Sequence, residues 1–225
     1  ILIIGGGPAG MKAATVAASR GHGVKLIEAS SKLGGQINLA EKLPGRSEFG
    51  GITTNLANKL QRQNVEIKLN TKVSADFVMQ EAPEVVILAT GGRSFEPLID
   101  GRENAHVVTA WQILEGKANV GSRVAIADWR CDWVGLGLAE LLARQGCHVR
   151  LACNGMVPGQ TVNQYVRDNW LGKLHKLNVQ TFTHLRLHGI DSEDAYFQHT
   201  LSGEPVILND VDTLVTALVL GPPIL

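Results

Sequence analysis

Three glycines near the start of the chain, Gly5, Gly7 and Gly10, stand in G-x-G-x-x-G spacing within "GGGPAG". Glycines at this spacing expose main chain to a pyrophosphate. The first permits a tight turn, the second leaves room for phosphate, and the third lets a helix lie close to a strand. Pro8 suits the first turn of a helix, where its missing N–H costs no hydrogen bond. The helix N-terminus adds free N–H groups and the positive end of its dipole. Glu28, at the end of "VKLIEA", is placed to accept hydrogen bonds from both hydroxyls of a ribose and to repel a 2′-phosphate. The chemistry predicted is capture of an unphosphorylated adenosine diphosphate moiety. No catalytic acid, base or nucleophile is identifiable by spacing.

A second stretch, "RVAIADWRCDWVGLGLAELLARQGCHVRLAC", repeats the order strand, turn, helix, strand without the early glycines. Setting Gly146 opposite Gly21 puts Gly135 opposite Gly10. Arg130 and Asp132 then stand where the first two glycines belong, in a slightly longer loop. A Cβ there crowds a pyrophosphate, Trp129 and Trp133 add bulk, and Asp132 brings negative charge to a helix N-terminus. NAD(P) is therefore not expected at this turn. Arg130, neutralised by Asp128 or Asp132, is expected to fill the vacated anion site.

Other residue types with chemical potential are scattered. Cys131, Cys147 and Cys153 form no C-x-x-C pair, which disfavours a dithiol centre, a zinc site or an iron–sulfur cluster, and they read as unpaired thiols of a reducing cytoplasm. The seven histidines include no zinc-helix pair; His184 and His188 lie in "HLRLH", whose alternation predicts a strand.

The elements around the first turn follow from hydrophobic pattern. "ILII" reads as a central parallel strand buried on both faces. "MKAATVAASRGH" reads as a helix and "VKLIEA" as the next strand. "KLGGQINLAEKLPG" follows, with Gly34 and Gly35 allowing main chain to run beside a ligand. "FGGITTNLANKLQRQN" predicts a helix with Leu56 and Leu60 on one face, and "VEIKLNTKV" a strand. "EVVILATGG" predicts a buried strand ending in the small-residue turn Ala89, Thr90, Gly91, beside the first strand. Residues 162 to 178 predict an amphipathic helix with Val166, Trp170, Leu174 and Leu177 inward. "QTFTHLRLHGI", "AYFQHTL" and "EPVILNDVDTLVTALVL" predict the strands of a small antiparallel extension that returns to the first sheet. The fold expected is α/β: two Rossmann-like three-layer domains with parallel central sheets, the second inserted in the first. The boundaries expected are 1–116 with 212–225 for the first domain and 117–211 for the second.

Composition is that of a globular protein: 225 residues, 44% hydrophobic, 19% charged and no formal net charge. Zero net charge argues against a nucleic acid or an anionic membrane surface as partner. No apolar run reaches the roughly 18 residues of a membrane span. Both ends read as cut from a longer chain.

Taken together, "GGGPAGMKAA", "LGGQINLAEKLPG" and "VILATG" resemble the C-terminal dinucleotide-binding region of the 2,4-dienoyl-CoA reductase and trimethylamine dehydrogenase family, over nearly the whole chain. The resemblance implies a longer, cytoplasmic, homo-oligomeric oxidoreductase. Its TIM barrel with FMN and its linker with a 4Fe-4S cluster lie outside this sequence. It implies FAD, or ADP in its place, in the first domain. Gly5, Gly7, Pro8, Ala9 and Gly10 would hold the pyrophosphate. Glu28, with Ala29 beside it, would meet the ribose. Gly34, Gly35 and Gln36 would run past the pyrophosphate and ribityl region, Val73 would face the adenine, and Ala89, Thr90 and Gly91 would flank the nucleotide. The spoiled second turn sides with the amine dehydrogenase and demethylase branch, whereas "GGQ" is nearer the NAD(P)H-dependent reductases. A non-catalytic ADP-binding assembly domain is a third reading.

Overall fold

A computed structural model describes residues 1–218, 220 and 221 of the chain. It divides into two units, the first comprising Ile1–Arg93 joined by Gly221, the second Ser94–Leu220. Among the described residues no helix is long and apolar enough to cross a membrane.

The first unit is built on a parallel sheet of order β3-β2-β1-β4, with β1 at Leu2–Ile4, β2 at Lys25–Ile27, β3 at Glu66–Lys68 and β4 at Val86–Leu88. The apolar run "ILII" gives the central strand, as it must if both faces are covered. Ile3 pairs in register with Leu26 on one side and Ile87 on the other. Helices α1 (Pro8–Ser19) and α3 (Gly50–Arg62) lie against each other. Their apolar residues Met11, Ala14, Leu56 and Leu60 close a core with Ile3 and Leu26. Two shorter helices follow in the connections, α2 (Ile37–Ala40) and α4 (Ala75–Glu81). Ser74 caps α4 by accepting the Phe77 N–H at 3.2 Å.

One expectation fails here. "EVVIL" was to be a buried strand, but β4 is an edge strand among the described residues, and Val86 and Leu88 are 37% and 58% exposed. An apolar run reads alike at a sheet's centre and at its edge, because the sequence does not state whether a strand lies on the second side.

The chain passes between units within the two-residue strand β5 (Arg93–Ser94). The second unit has a five-stranded parallel sheet of order β6-β13-β7-β8-β9. These are β6 (Val107–Thr109), β7 (Arg123–Asp128), β8 (His148–Cys153), β9 (Gln180–Phe182) and β13 (Thr213–Ala217). An antiparallel sheet, β10 (Leu185–Ile190), β11 (Ala195–His199) and β12 (Pro205–Leu208), forms the extension predicted as far as Leu208, whereas β13, expected to continue it back to the first sheet, pairs parallel with β6 and β7 in the second unit. Small residues of the parallel sheet, Ala125, Ala127 and Ala152, meet Leu185, Ile190, Phe197 and Leu208 of the antiparallel one. Alternation along β7 sends Val124 and Ile126 to the opposite face. Helix α6 (Trp133–Arg144) packs on β7 and β8, with α7 (Gln164–Lys176) beside it. In α7 Trp170 and Leu174 are buried as the periodicity predicts, while Val166 is exposed. Helix α5 (Ala110–Glu115) starts with a reciprocal cap, Thr109 Oγ1 accepting the Gln112 N–H and Gln112 Oε1 accepting the Thr109 N–H.

The domain boundaries differ from those expected at 116 and 212. The second unit already begins at Ser94, and β13 pairs between β6 and β7, with Leu214 opposite Val107 and Val215 opposite Ile126. The cause is β6: three residues long, it carries no glycine turn to mark it in the sequence, yet it supplies one edge of the second sheet. Of the C-terminal return to the first unit only Gly221 is described; residues 222–225 lie outside the described residues.

The packing of α3 on α1 gives a direct test of the first unit's core. Replacing fully buried Leu60 with alanine should cost about 2–5 kcal/mol in denaturant unfolding. A cost under about 0.5 kcal/mol would mean that this helix pair does not hold the unit together.

Candidate functional site

The first turn is shaped by close approach of main chain to main chain. Gly5 has φ +110°, and its N–H donates to the Ile27 carbonyl at 2.8 Å. A Cβ on Gly10 would collide with the Gly5 carbonyl oxygen, and one on Gly5 would collide with the Ala89 carbonyl. These two glycines are therefore required by the fold itself. Gly7 is different. An added Cβ would meet nothing nearer than the Gly35 Cα at 3.9 Å, and its φ of −73° suits any residue. No packing reason inside this unit calls for glycine there.

Gly7 is also the N-cap of α1. No side chain caps that helix, its first turn holds no acidic residue, and Pro8 occupies the start. Pro8 and Ala9 are exposed, so this helix end faces outward with its N–H groups uncovered. The second glycine pair docks beside it: the Gly34 N–H donates to the Gly6 carbonyl at 2.9 Å, and Gly35 lies against Gly7. Gln36 Nε2 donates to the Gly92 carbonyl at 2.9 Å, tying this loop to the turn that contains Ala89, Thr90 and Gly91.

Glu28 is held ready. Its Oε2 accepts the Gly6 N–H at 2.5 Å, and its Oε1 accepts the Ser30 N–H at 2.7 Å and the Ser30 hydroxyl at 2.8 Å. A carboxylate has about four lone-pair sites, so acceptor capacity remains. Gly6 earns its place through this contact: a Cβ there would press on Glu28 and on Leu33. The sequence reading gave Gly6 no task.

A crevice of about 540 Å³ opens from this turn. Of the predicted residues Gly5, Glu28, Ala29, Val73 and Thr90 line it. Lys72, Ser74 and Arg93 also line it and were missed. Lys72 and Arg93 bring positive charge to a crevice that Ser74 and Ala75, at the start of α4, also line; Gly7, Pro8, Ala9 and Gly10 are not among its lining residues. The signal available for Lys72 is only its place after β3, because ligand crevices of open α/β sheets form beyond the carboxyl ends of the strands.

The second turn is closed by its own side chains. Asp132 is the N-cap of α6, its Oδ1 accepting the Val134 N–H at 2.8 Å. Its Oδ2 accepts from Arg130 Nε at 2.6 Å. The expected pairing of Arg130 with an acid is found, but the group at the helix N-terminus is the Asp132 carboxylate. Asp128 Oδ1 accepts the N–H groups of Arg130 and Cys131 at 3.1 and 3.0 Å. Its Oδ2 is buried without a hydrogen-bond partner, against Gly135, where a Cβ would collide with it. Gly135 thus keeps the third glycine's task of close helix–strand contact. Trp129 is 42% exposed, with the Arg186 guanidinium 5.5 Å from its ring centroid. No cluster that could hold a metal is present among the described residues, and His188 lies in strand β10 as its alternation predicts.

An open and a plugged dinucleotide-type turn, each on a parallel sheet, define a nucleotide-binding α/β protein of the two-dinucleotide-domain kind. The chain matches the pyridine nucleotide-disulphide oxidoreductase family over residues 1–221 and belongs to it. It is 36% identical to the N,N-dimethylglycine/sarcosine dehydrogenase of Chromohalobacter salexigens, over 86% of this chain and 29% of that protein. It is 32% identical to the bilirubin reductase of Mediterraneibacter gnavus, over 92% of this chain and 33% of that one. A solved 2-naphthoyl-CoA reductase superposes with a TM-score of 0.88 at 30% identity, covering 97% of this chain and 33% of that chain. The chain therefore spans about a third of the length of the curated relatives it matches. The resemblance to the 2,4-dienoyl-CoA reductase and trimethylamine dehydrogenase family holds.

The plugged turn has a pH signature. Burial, then the nearby Cys131 and Asp132, hold the Asp128 carboxyl well above the usual carboxylate range. The folded state then keeps a proton that the unfolded chain releases above about pH 4, so the contribution is fully present at low pH and is lost as pH rises toward the folded value. Asp128→Asn should gain stability relative to the parent as pH rises from about 5 to about 8, read by urea unfolding. A stability difference that stays constant with pH would contradict the assignment.

Proposed function

We propose that the first unit binds FAD through its adenosine diphosphate half, with ADP as the alternative occupant, and that the second unit binds no NAD(P). The observation that carries this is Gly7. Its bareness serves no packing need, and it stands at an uncapped helix N-terminus beside an oriented carboxylate. That cradle fits a pyrophosphate with an adjoining ribose. Gly5, Gly7, Pro8, Ala9 and Gly10 surround the phosphates. Glu28 accepts the ribose hydroxyls beside Ala29, Val73 meets the adenine, and Gly34, Gly35, Gln36, Ala89, Thr90 and Gly91 complete the walls. Lys72 and Arg93 add charge attraction. Bound FAD would supply a redox centre, whereas ADP would supply none.

On this reading the chain is the nucleotide-binding portion of a flavin-dependent oxidoreductase, an amine dehydrogenase or demethylase whose FMN, 4Fe-4S cluster and TIM barrel lie elsewhere in the full-length protein. The match to a dimethylglycine and sarcosine dehydrogenase supports it, as does the carboxylate at the second helix. A second reading, a reductase of the 2,4-dienoyl-CoA reductase kind fed by NAD(P)H, is favoured by the 2-naphthoyl-CoA reductase match and requires Asp132 and Arg130 to move aside.

Two glycine variants separate binding from folding. Gly7→Ala should keep the parent's unfolding midpoint and weaken nucleotide binding about tenfold or more, a loss of at least about 1.4 kcal/mol. Gly10→Ala should lower the midpoint, because its methyl meets main chain. Nucleotide released by acid and identified by mass spectrometry distinguishes FAD from ADP. Equal nucleotide retention in Gly7→Ala and the parent would contradict the proposal.

A further inference from the structure

Cys131 and Cys153 are distant in sequence but share one corner of the second unit. Asp128 stands in register with Cys153 across β7 and β8. The turn after Asp128 brings Cys131 back over that pair, its sulfur 3.9 Å from the Asp128 carbonyl oxygen and 3.2 Å from Asn154 Oδ1. The Cys153 sulfur lies 3.6 Å from the Gly155 carbonyl oxygen. A Cβ on Gly155 would come 3.0 Å from the Cys131 sulfur, so both thiols pack around residues 153–155. Both are free thiols. Both residues are buried, yet Asn154 and Gly155 over them are half-buried and Met156 is exposed. The pair therefore sits one residue beneath the surface. The third cysteine is elsewhere, with the Cys147 sulfur 3.5 Å from the Gly121 carbonyl oxygen.

The two sulfurs are not equivalent. Cys131 has φ +49°, a conformation rarely adopted by residues with a Cβ and one that concentrates at functional sites. The Cys153 thiol and the main-chain N–H groups of Gly155 and Asn154 hydrogen-bond to the Cys131 sulfur and hold its pKa down at about 7. Cys153 is pushed up by its hydrogen bond to Cys131 and by burial. One thiolate beside one thiol is the asymmetry that a nucleophile and its resolving partner need.

We infer that Cys131 and Cys153 form a reversible redox pair, a modification site for hydrogen peroxide, independent of the nucleotide site in the first unit. The Cys131 thiolate attacks one peroxide oxygen. An S–O bond forms, the O–O bond breaks, and the departing hydroxide takes up a proton to become water, leaving Cys131 as a sulfenic acid. The Cys153 sulfur then attacks the Cys131 sulfur. The S–S bond forms, the S–O bond breaks, and the departing hydroxide takes the Cys153 proton. Two thiols and one peroxide become one disulfide and two waters. The product ties the turn that carries Asp132 to the end of β8.

The purified full-length protein, treated with a few equivalents of hydrogen peroxide under native conditions, tests this by differential alkylation and peptide mapping. The expected result is a cross-linked pair of peptides holding Cys131 and Cys153, separated by dithiothreitol, with Cys147 still a free thiol. In Cys153→Ser the Cys131 sulfenic acid should be trapped by dimedone, and in Cys131→Ser the Cys153 thiol should stay reduced. If either serine variant fails to fold, the parent's peptide map decides alone. Free Cys131 and Cys153 after treatment, a cross-link of either to Cys147, or oxidation of Cys153 in Cys131→Ser would overturn the inference.

Discussion

Helices α1 and α6 each follow a parallel strand through a short turn, and each begins with main-chain N–H groups that the helix cannot satisfy. What meets those groups sets the character of each unit. At α1 no side chain among the described residues caps them: the cap is Gly7, with no acid in the first turn. At α6 the chain supplies its own anion, Asp132, which is in turn neutralised by Arg130. The electrostatic demand is the same in both places. One helix end is open and the other is met internally.

The surroundings of each helix end follow from that choice. In the first unit the glycines divide by task. Gly5 and Gly10 are fixed by contact between main-chain segments, while Gly6 leaves room for Glu28 to fold back onto the turn. Of the glycines of the first turn, Gly5, Gly6, Gly7 and Gly10, only Gly7 has space over it. In the second unit Gly135 keeps the close helix–strand approach, but the neighbour it accommodates is Asp128, a buried carboxyl. A buried acid is tolerable when it stays protonated or is hydrogen-bonded, and Asp128 has two N–H donors on one oxygen. The family fold thus survives at a turn whose pocket has been filled from within.

Much of this was legible in the sequence, for physical reasons that can be named. The first β-turn-α-β unit announces itself because each glycine answers a local geometric need, and "ILII" becomes the central strand because it is apolar on both faces. Leu56, Leu60, Trp170 and Leu174 are buried where helical periodicity places them. The second turn's loss was readable from Arg130 and Asp132. What was not legible depends on distant pairing. Residues 107–109 join the second sheet only because β13 returns beside them, so the unit boundary fell at 93 rather than 116. The edge position of β4 depends on which strands flank it. Lys72 and Arg93 reach the crevice from separate connections. Cys131 and Cys153 are free thiols, as their spacing suggests, and only the pairing of β7 with β8 shows that they share one corner.

The most direct test of the contrast between the two helix ends is a count of sites. Nucleotide-free protein titrated calorimetrically with ADP, and separately with NADH, should bind one ADP per chain. NADH should add no further site in protein already saturated with ADP, and Asp132→Ala should leave the ADP stoichiometry unchanged. Saturable NADH binding to the ADP-loaded protein, or no ADP binding at all, would contradict the account.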